Sequence, residues 1–179
     1  MKYTRSSLLF LALIVGLSFP GCRHTNKSES TGSALENKIQ GIMFIEQAAR
    51  GCMLEIELGK LAAVKADHPE VRDFGKSMAA DQELILNSLK ELSVTKGLKL
   101  PDSLSRQEQI QVEEMRQMEN KYFEKLYLKM MLENSRKYIE LYRGTSRSPD
   151  VLISDFGKKY LPILEKHLQK AFEVQQSIS

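Results

Sequence analysis

Three titratable residues stand among apolar positions of helical spacing, and they carry the candidate chemistry of this chain. Asp81 lies one turn after Met78 and one turn before Ile85, so we expect a carboxylate near the middle of an apolar helix face. His167 lies on the shoulder of an apolar arc, and the first helix offers Glu55 and Glu57, of which Glu57 is the candidate ligand. Carboxylates and imidazoles that project inward from facing helices can hold a metal ion, so a metal site is one hypothesis.

A structural role for the same polar residues is the alternative. A buried carboxylate without a partner is costly, so Asp81 must be paired, hydrogen-bonded, metal-bound or neutralised. Gln82 flanks it on the same helix face, and Asn134, Ser135 and His167 are the partners that other helices offer. A lone histidine at a core edge is more often hydrogen-bonded than metal-bound. We therefore predict that His167 bonds to Asp81 or to neighbours in the third helix.

The N-terminus, MKYTRSSLLFLALIVGLSFPGC, has the pattern of a signal peptide. Lys2 and Arg5 precede an apolar run from residue 8 to residue 17, which is too short to span a bilayer comfortably. The motif FPGC resembles a lipobox, although Phe19 stands where leucine is usual. We expect export, lipidation of Cys22 and attachment to a bacterial membrane, with the outer membrane facing the periplasm as the favoured location. The alternative is an uncleaved anchor in which Cys22 has no role.

The spacing of apolar residues and of breaks predicts one all-α domain behind this leader. Few glycines and only five prolines interrupt the chain, which favours long helices. Pro69 and Gly97 mark a start and a stop, Ser105 and Glu108 match a capping box, and Pro149 marks a further start. The predicted segments are a signal peptide at 1–21, a flexible tether at 22–34, and a four-helix bundle at 35–177 with helices at about 35–66, 69–96, 105–143 and 149–176.

A weak internal echo supports two related helix pairs. The segment VRDFGKSM at 71–78 resembles ISDFGKKY at 153–160, and each lies shortly after a proline near a helix start. A duplicated helix pair explains this similarity more simply than a kinase motif does, since no glycine-rich loop or catalytic loop accompanies it. Duplicated pairs build four-helix bundles.

Charge and cysteine content exclude several classes of protein. The 26 basic and 23 acidic residues are interleaved and give a net charge of +3, so no basic stripe for nucleic-acid binding is present. Only Cys52 remains besides Cys22, which excludes a disulfide framework. Cys52 sits among apolar residues, so we interpret it as a small buried hydrophobe.

Four short segments in fixed order resemble the domain-of-unknown-function family 4142, a family of exported bacterial proteins with a ferritin-like four-helix fold. They are FIEQAARGCMLEIELGKLA, VRDFGKSMAADQ, YFEKLYLKMMLENSRKYIELY and LPILEKHLQKA, and the resemblance covers about residues 42 to 174. The family usually carries Asp-His where this chain has Asp81-Gln82, and an Asp-His or similar pair where it has Asn134-Ser135. A family histidine falls on His167. The resemblance implies a metal site, but two of its three histidines are replaced here.

The preferred prediction is therefore a non-catalytic, lipid-anchored binding or interaction module with a degenerate polar core. Its expected partner is an unknown envelope protein. Ser135 and His167 alone do not make a catalytic triad, and no Glu-x-x-His repeat of a di-iron bundle is present, so we do not expect an enzyme. No cofactor is expected. The alternative is a periplasmic metal-handling protein that uses Asp81 and His167, with Glu57 as a further ligand. Any divalent metal would then bind weakly.

Overall fold

A computed structural model describes residues 27–178, and these residues form helices joined by short connections. Four long helices make a bundle, which confirms the predicted all-α four-helix fold. The predicted signal peptide and Cys22 lie outside the described residues. In the part of the chain that the structure describes, no helix has the length and apolar character needed to cross a membrane. The helices are α1 Lys27–Lys65, α2 Pro69–Thr95, α3 Arg106–Gln117, α4 Asn120–Thr145 and α5 Val151–Ser177.

Helices α2 and α5 lie side by side and run in opposite directions. The Tyr160 hydroxyl donates to Ser88 Oγ at 2.6 Å, and Ser177 Oγ donates to Glu70 at 2.6 Å. The N-terminal part of α5 therefore lies beside the C-terminal part of α2, and the end of α5 lies beside the start of α2. These bonds join the helix pair α1–α2 to the helix pair α4–α5.

Helices α1 and α4 are also antiparallel neighbours. Phe44, on the N-terminal side of α1, meets Tyr142 edge-on with ring centroids 5.2 Å apart. Lys65, at the end of α1, lies over the ring of Phe123 near the start of α4.

Helix α1 is antiparallel to α2 as well, since Gly59 meets Gly75 while Glu55 bonds to Gln82. Helices α2 and α4 therefore run in the same direction. The chain must therefore return along the bundle between them.

Helix α3 makes this return, and it corrects the predicted third helix at 105–143. Glu108 of α3 lies 3.9 Å from Arg50, and Asn120 beyond α3 donates to Asp67 at 2.8 Å, so α3 runs parallel to α1. Helix α4 runs the opposite way, so one continuous helix cannot connect them. The chain reverses at Met118 and Glu119, whose backbones are extended. One long crossover of this kind is the ferritin-like connectivity.

The starts of the first and last helices also differ from the sequence prediction, by eight and by two residues. The segment predicted as a tether at 22–34 is helical from Lys27 onward, because extending an existing helix costs far less than nucleating one. Helix α5 begins at Val151, two residues later than predicted. Asp150 is its N-cap, since its carboxylate accepts from the backbone of Ile153 and also binds Lys96.

The predicted capping box at the start of α3 is confirmed. Ser105 Oγ accepts from the backbone N–H of Glu108, and the Glu108 carboxylate accepts from the backbone N–H of Ser105 at 2.7 Å. At the start of α2 the N-cap is His68, whose side chain makes no capping bond. Its backbone N–H instead donates to Glu124 Oε1 at 2.7 Å, which ties the start of α2 to α4.

Two hydrophobic clusters fill the bundle, one toward each end. The first lies where α1 ends and α4 begins, and it includes Leu58, Met78, Met131 and Ala171. The second lies toward the opposite end and includes Ile45, Ile85, Ile139 and Leu164. Each long helix contributes residues to both clusters and therefore passes through the boundary between them.

Candidate functional site

A layer of polar side chains occupies the boundary between the two hydrophobic clusters. Each long helix contributes one residue to it, and in each helix that residue falls between the members of the two clusters. All four residues are nearly inaccessible to solvent, with exposed fractions of 2 to 4%. We call them the polar layer: Glu55 of α1, Gln82 of α2, Ser135 of α4 and His167 of α5.

The inward position on α2 belongs to Gln82, one residue from the predicted one. The buried residues Met78, Gln82 and Ile85 follow the spacing of a bundle core, and Asp81 is turned about 100° away. The side chain of Asp81 keeps 29% of its surface exposed. The expectation that Asp81 lies in the middle of the apolar face was therefore wrong. His167, expected on a shoulder, is in fact buried.

The predicted hydrogen bond between His167 and Asp81 is confirmed. His167 Nε2 lies 2.9 Å from Asp81 Oδ2 and joins α5 to α2. Burial lowers the pKa of His167, and the bond to Asp81 opposes that shift. The neutral imidazole therefore donates its Nε2 proton to the carboxylate, which leaves a lone pair on Nδ1. That Nδ1 atom is buried and has no hydrogen-bond partner.

A second polar pair, Glu55 with Gln82, joins α1 to α2 in the same layer. Gln82 Nε2 donates to Glu55 Oε2 at 2.5 Å, while Glu55 Oε1 is buried and has no hydrogen-bond partner. Burial raises the pKa of Glu55 to about 8, and the bond from Gln82 opposes the rise. Both Glu55 and Glu57 were candidates on the first helix, and the predicted ligand was Glu57. Glu55 lies three residues after the buried Cys52 and three before the buried Leu58, and this spacing is the signal that identifies it.

The remaining predicted neighbours take unequal positions. Ser135 is buried in the middle of the α4 stripe, as expected. Asn134 is only partly buried, but its Nδ2 atom is enclosed and has no hydrogen-bond partner. Cys52 is buried, and burial raises the pKa of its thiol, which agrees with its interpretation as a small hydrophobe.

Three buried tyrosines of α4 complete the surroundings of Glu55. Burial raises the pKa of Tyr127, Tyr138 and Tyr142, and the nearby carboxyl of Glu55 raises each of them further. Tyr138 packs directly on Gly51 of α1, where a Cβ atom would lie 2.3 Å from its ring. The Tyr138 ring thus faces α1 beside the polar layer.

The residues present do not fit the metal centre that the sequence resemblance implies. Glu57 is exposed on the surface of α1, two residues from Glu55 and on another face of the helix. It therefore does not join the pair of Asp81 and His167. Within residues 27–178, no group of three or more histidine, cysteine, aspartate or glutamate side chains is placed to hold a metal ion.

An open cleft lies outside the bundle core, between α1, α2, α3 and the connection that precedes α3. Its volume is about 620 Å³. Lys60 and Glu83 form an ion pair across it at 2.7 Å, and Arg116 of α3 pairs with Glu113 at 3.2 Å. We call it the outer cleft. Its apolar floor consists of Met53, Ile56, Leu86, Leu104 and Val112.

The sequence profile of the domain-of-unknown-function family DUF4142 matches residues 26–174. The chain belongs to this family. Among solved structures, the crystal structure of a DUF305 fragment from Deinococcus radiodurans is similar, with a TM-score of 0.66 and 9% sequence identity. The match covers 75% of this chain and 94% of that one, and at this identity it supports the fold alone. No curated protein matches the sequence.

Proposed function

We propose that this DUF4142 protein is an exported, lipid-anchored component of the bacterial cell envelope whose helical domain binds a partner without catalysing a reaction. The observation that carries the proposal is the outer cleft, which is open to solvent while the polar layer is closed. A volume of about 620 Å³ is in the usual range of ligand sites.

The chemistry of the outer cleft suits binding. Its floor is apolar, while its rim carries charges of both signs, so a bound partner can bury apolar surface and be oriented by polar contacts. Among the side chains that line it there is no histidine, the most frequent general base, to activate the hydroxyl of Ser103.

The position of Cys22 supports the anchoring part of the proposal. Only four residues separate Cys22 from Lys27, the first residue of α1. A chain spans at most about 3.6 Å per residue, so a lipid on Cys22 would hold the first residue of α1 within roughly 20 Å of the membrane surface. The partner we propose is accordingly another envelope component.

Site-specific photocrosslinking in cells tests the binding role. A photoreactive side chain at Glu57, which is exposed in the outer cleft, is expected to capture one defined envelope component. Asn87→Trp, on the opposite wall, should fill the cleft and reduce the yield about tenfold. Leu84→Trp is the matched control, because Leu84 is exposed on the same helix outside the cleft.

Two results would contradict the proposal. Equal crosslinking in the Asn87→Trp and Leu84→Trp variants would show that the cleft is not the binding site. In the same cells the wild type should take up a labelled acyl chain, and Cys22→Ser should abolish that labelling. A wild type without label, or a Cys22→Ser variant that keeps it, would disprove anchoring through Cys22.

A metal-handling role through Asp81 and His167 is the second candidate. The observation in its favour is the unpartnered Nδ1 of His167, because a ligating histidine commonly gives its other ring proton to a carboxylate. We expect no bound metal above background after exposure to iron, zinc or copper and desalting, as measured by elemental analysis. Near one equivalent that is lost in His167→Ala would replace the first proposal by this one.

A further inference from the structure

Glu55 is a fully enclosed carboxyl with a single neutral hydrogen-bond partner. We propose that the polar layer is a pH-sensitive element, in which Glu55 is held as the neutral acid and the loss of its proton loosens the bundle. This inference is independent of the outer cleft and of any partner. It rests on the groups that face Glu55, on the space around it and on its hydrogen bonds.

No cation balances a charge on Glu55. The buried polar residues of the described chain include no lysine or arginine. His167 contributes no positive charge, because burial lowers its pKa, and its Nε2 is bonded to Asp81. The titratable and polar groups around the layer are Cys52 on α1, Asp81 and Gln82 on α2, Glu108 on α3, Tyr127, Asn134, Ser135, Tyr138 and Tyr142 on α4, and His167 on α5.

The void beside Gln82 offers little room for water that could hydrate a charge. This void, lined by Cys52, Gln82, Tyr138 and Tyr142, has a volume of about 10 Å³. A space of that size holds about one water molecule, whereas a buried carboxylate without a cation requires far more solvation. An ionised Glu55 must therefore draw water into the core or move outward. Either change separates α1 from its neighbours.

The sign of the pH effect follows from the proton balance. Burial raises the pKa of Glu55 from 4.5 to about 8, so the folded chain keeps a proton that the unfolded chain has lost. The free energy of unfolding then falls as pH rises from about 4.5 to about 8, and levels off above that value. His167 acts in the opposite direction but only below its ordinary value of 6.5, since its pKa is lowered in the fold. The titration of Glu55 therefore determines how the free energy of unfolding changes between pH 6.5 and pH 8.

Denaturant unfolding of the purified full-length chain between pH 6 and pH 9 tests the proposal. In the wild type the unfolding equilibrium constant should rise about tenfold between pH 6.5 and pH 7.5, and less steeply from there to pH 8. Glu55→Gln keeps a neutral amide beside Gln82 and should remove this rise. Glu57→Gln is the matched control, because Glu57 is exposed on the same helix, and it should behave as the wild type does.

Carbon-13 nuclear magnetic resonance of the glutamate carboxyls gives a readout that needs no variant. One carboxyl signal should titrate in the mildly alkaline range. It is assigned to Glu55 by its disappearance in Glu55→Gln. If that variant does not fold, the signal is assigned by comparing the folded chain with the unfolded chain. Titration of every glutamate near 4.5 would overturn the proposal. So would a pH dependence in Glu55→Gln equal to that of the wild type.

Discussion

The two helix pairs, α1–α2 and α4–α5, carry the same motif at the same place. Gly75 and Gly157 are each the seventh residue of the second helix of their pair, and each follows a buried phenylalanine. Each glycine also touches the first helix of its own pair. The sequence echo therefore marks a close approach between paired helices. This equivalence agrees with a duplicated helix pair.

The glycines differ in what they meet. A Cβ on Gly75 would lie 2.7 Å from the carbonyl oxygen of Gly59, well inside α1. A Cβ on Gly157 would lie 2.8 Å from the backbone nitrogen of Ser146, just past the end of α4. The first contact is between two helix interiors, and the second is at a helix end. The same motif thus lies at a crossing of two helix interiors in one pair and beside a turn in the other.

The pairs also divide the chemistry of the polar layer. Glu55 and Ser135 hold matching positions, ten residues before the end of α1 and of α4. The α1–α2 pair supplies the carboxyl groups of Glu55 and Asp81, while the α4–α5 pair supplies hydroxyl groups and the imidazole of His167. The bond between Glu55 and Gln82 lies within one pair, and the bond between Asp81 and His167 joins the two pairs. Loss of the second bond therefore weakens the docking of the pairs.

Substitution of alanine for each of the two glycines should distinguish the two contacts. It should produce the largest loss of stability among the changes that we predict. Gly75→Ala forces the backbone of α1 away from α2 and should cost about 2–3 kcal/mol. Gly157→Ala should cost about 1 kcal/mol, because the chain after α4 can shift more easily. Gly144→Ala is the control, since nothing lies within 4 Å of its Cβ position. It should stabilise the fold by up to about 1 kcal/mol.

Denaturant titration with the same unfolding probe measures all three variants. Equal losses for Gly75→Ala and Gly157→Ala would break the distinction between a rigid crossing and a yielding turn. A loss for Gly144→Ala would show that alanine itself, not the close approach, is responsible.

His167→Gln tests the bond between the pairs and should have a smaller effect. The amide can still donate to Asp81, so we expect a loss of about 1 kcal/mol at pH 8. Because burial lowers the pKa of His167, the free energy of unfolding should fall as pH drops below 6.5 in a chain that keeps this histidine. The variant should lack that fall. Both chains should carry Glu55→Gln, which removes the opposing proton balance of Glu55.

Unfolding measurements from pH 8 to pH 5 decide this prediction. The curves of the two chains should converge toward low pH. Parallel curves would mean that His167 takes up its proton in the folded chain as easily as in the unfolded one.

Much of this protein follows from residue patterns alone. Helical spacing of apolar residues and the breaks between helices predict an all-α domain, because burial of an apolar face is a local property of each helix. The capping box of Ser105 and Glu108 and the family membership follow in the same way from residues near one another in sequence. The bond between Asp81 and His167 was also predictable, since each polar residue near an apolar face needs a partner.

Only the tertiary structure decided the rest. The break at Met118 exists because α2 and α4 run in the same direction, a relation between helices that no local pattern contains. The choice of Glu55 over Glu57, and of Gln82 over Asp81, depends on the rotation of each helix about its axis. Successive side chains of an α-helix point about 100° apart around its axis. Packing against the neighbouring helices sets the rotation and so determines which side chain enters the core.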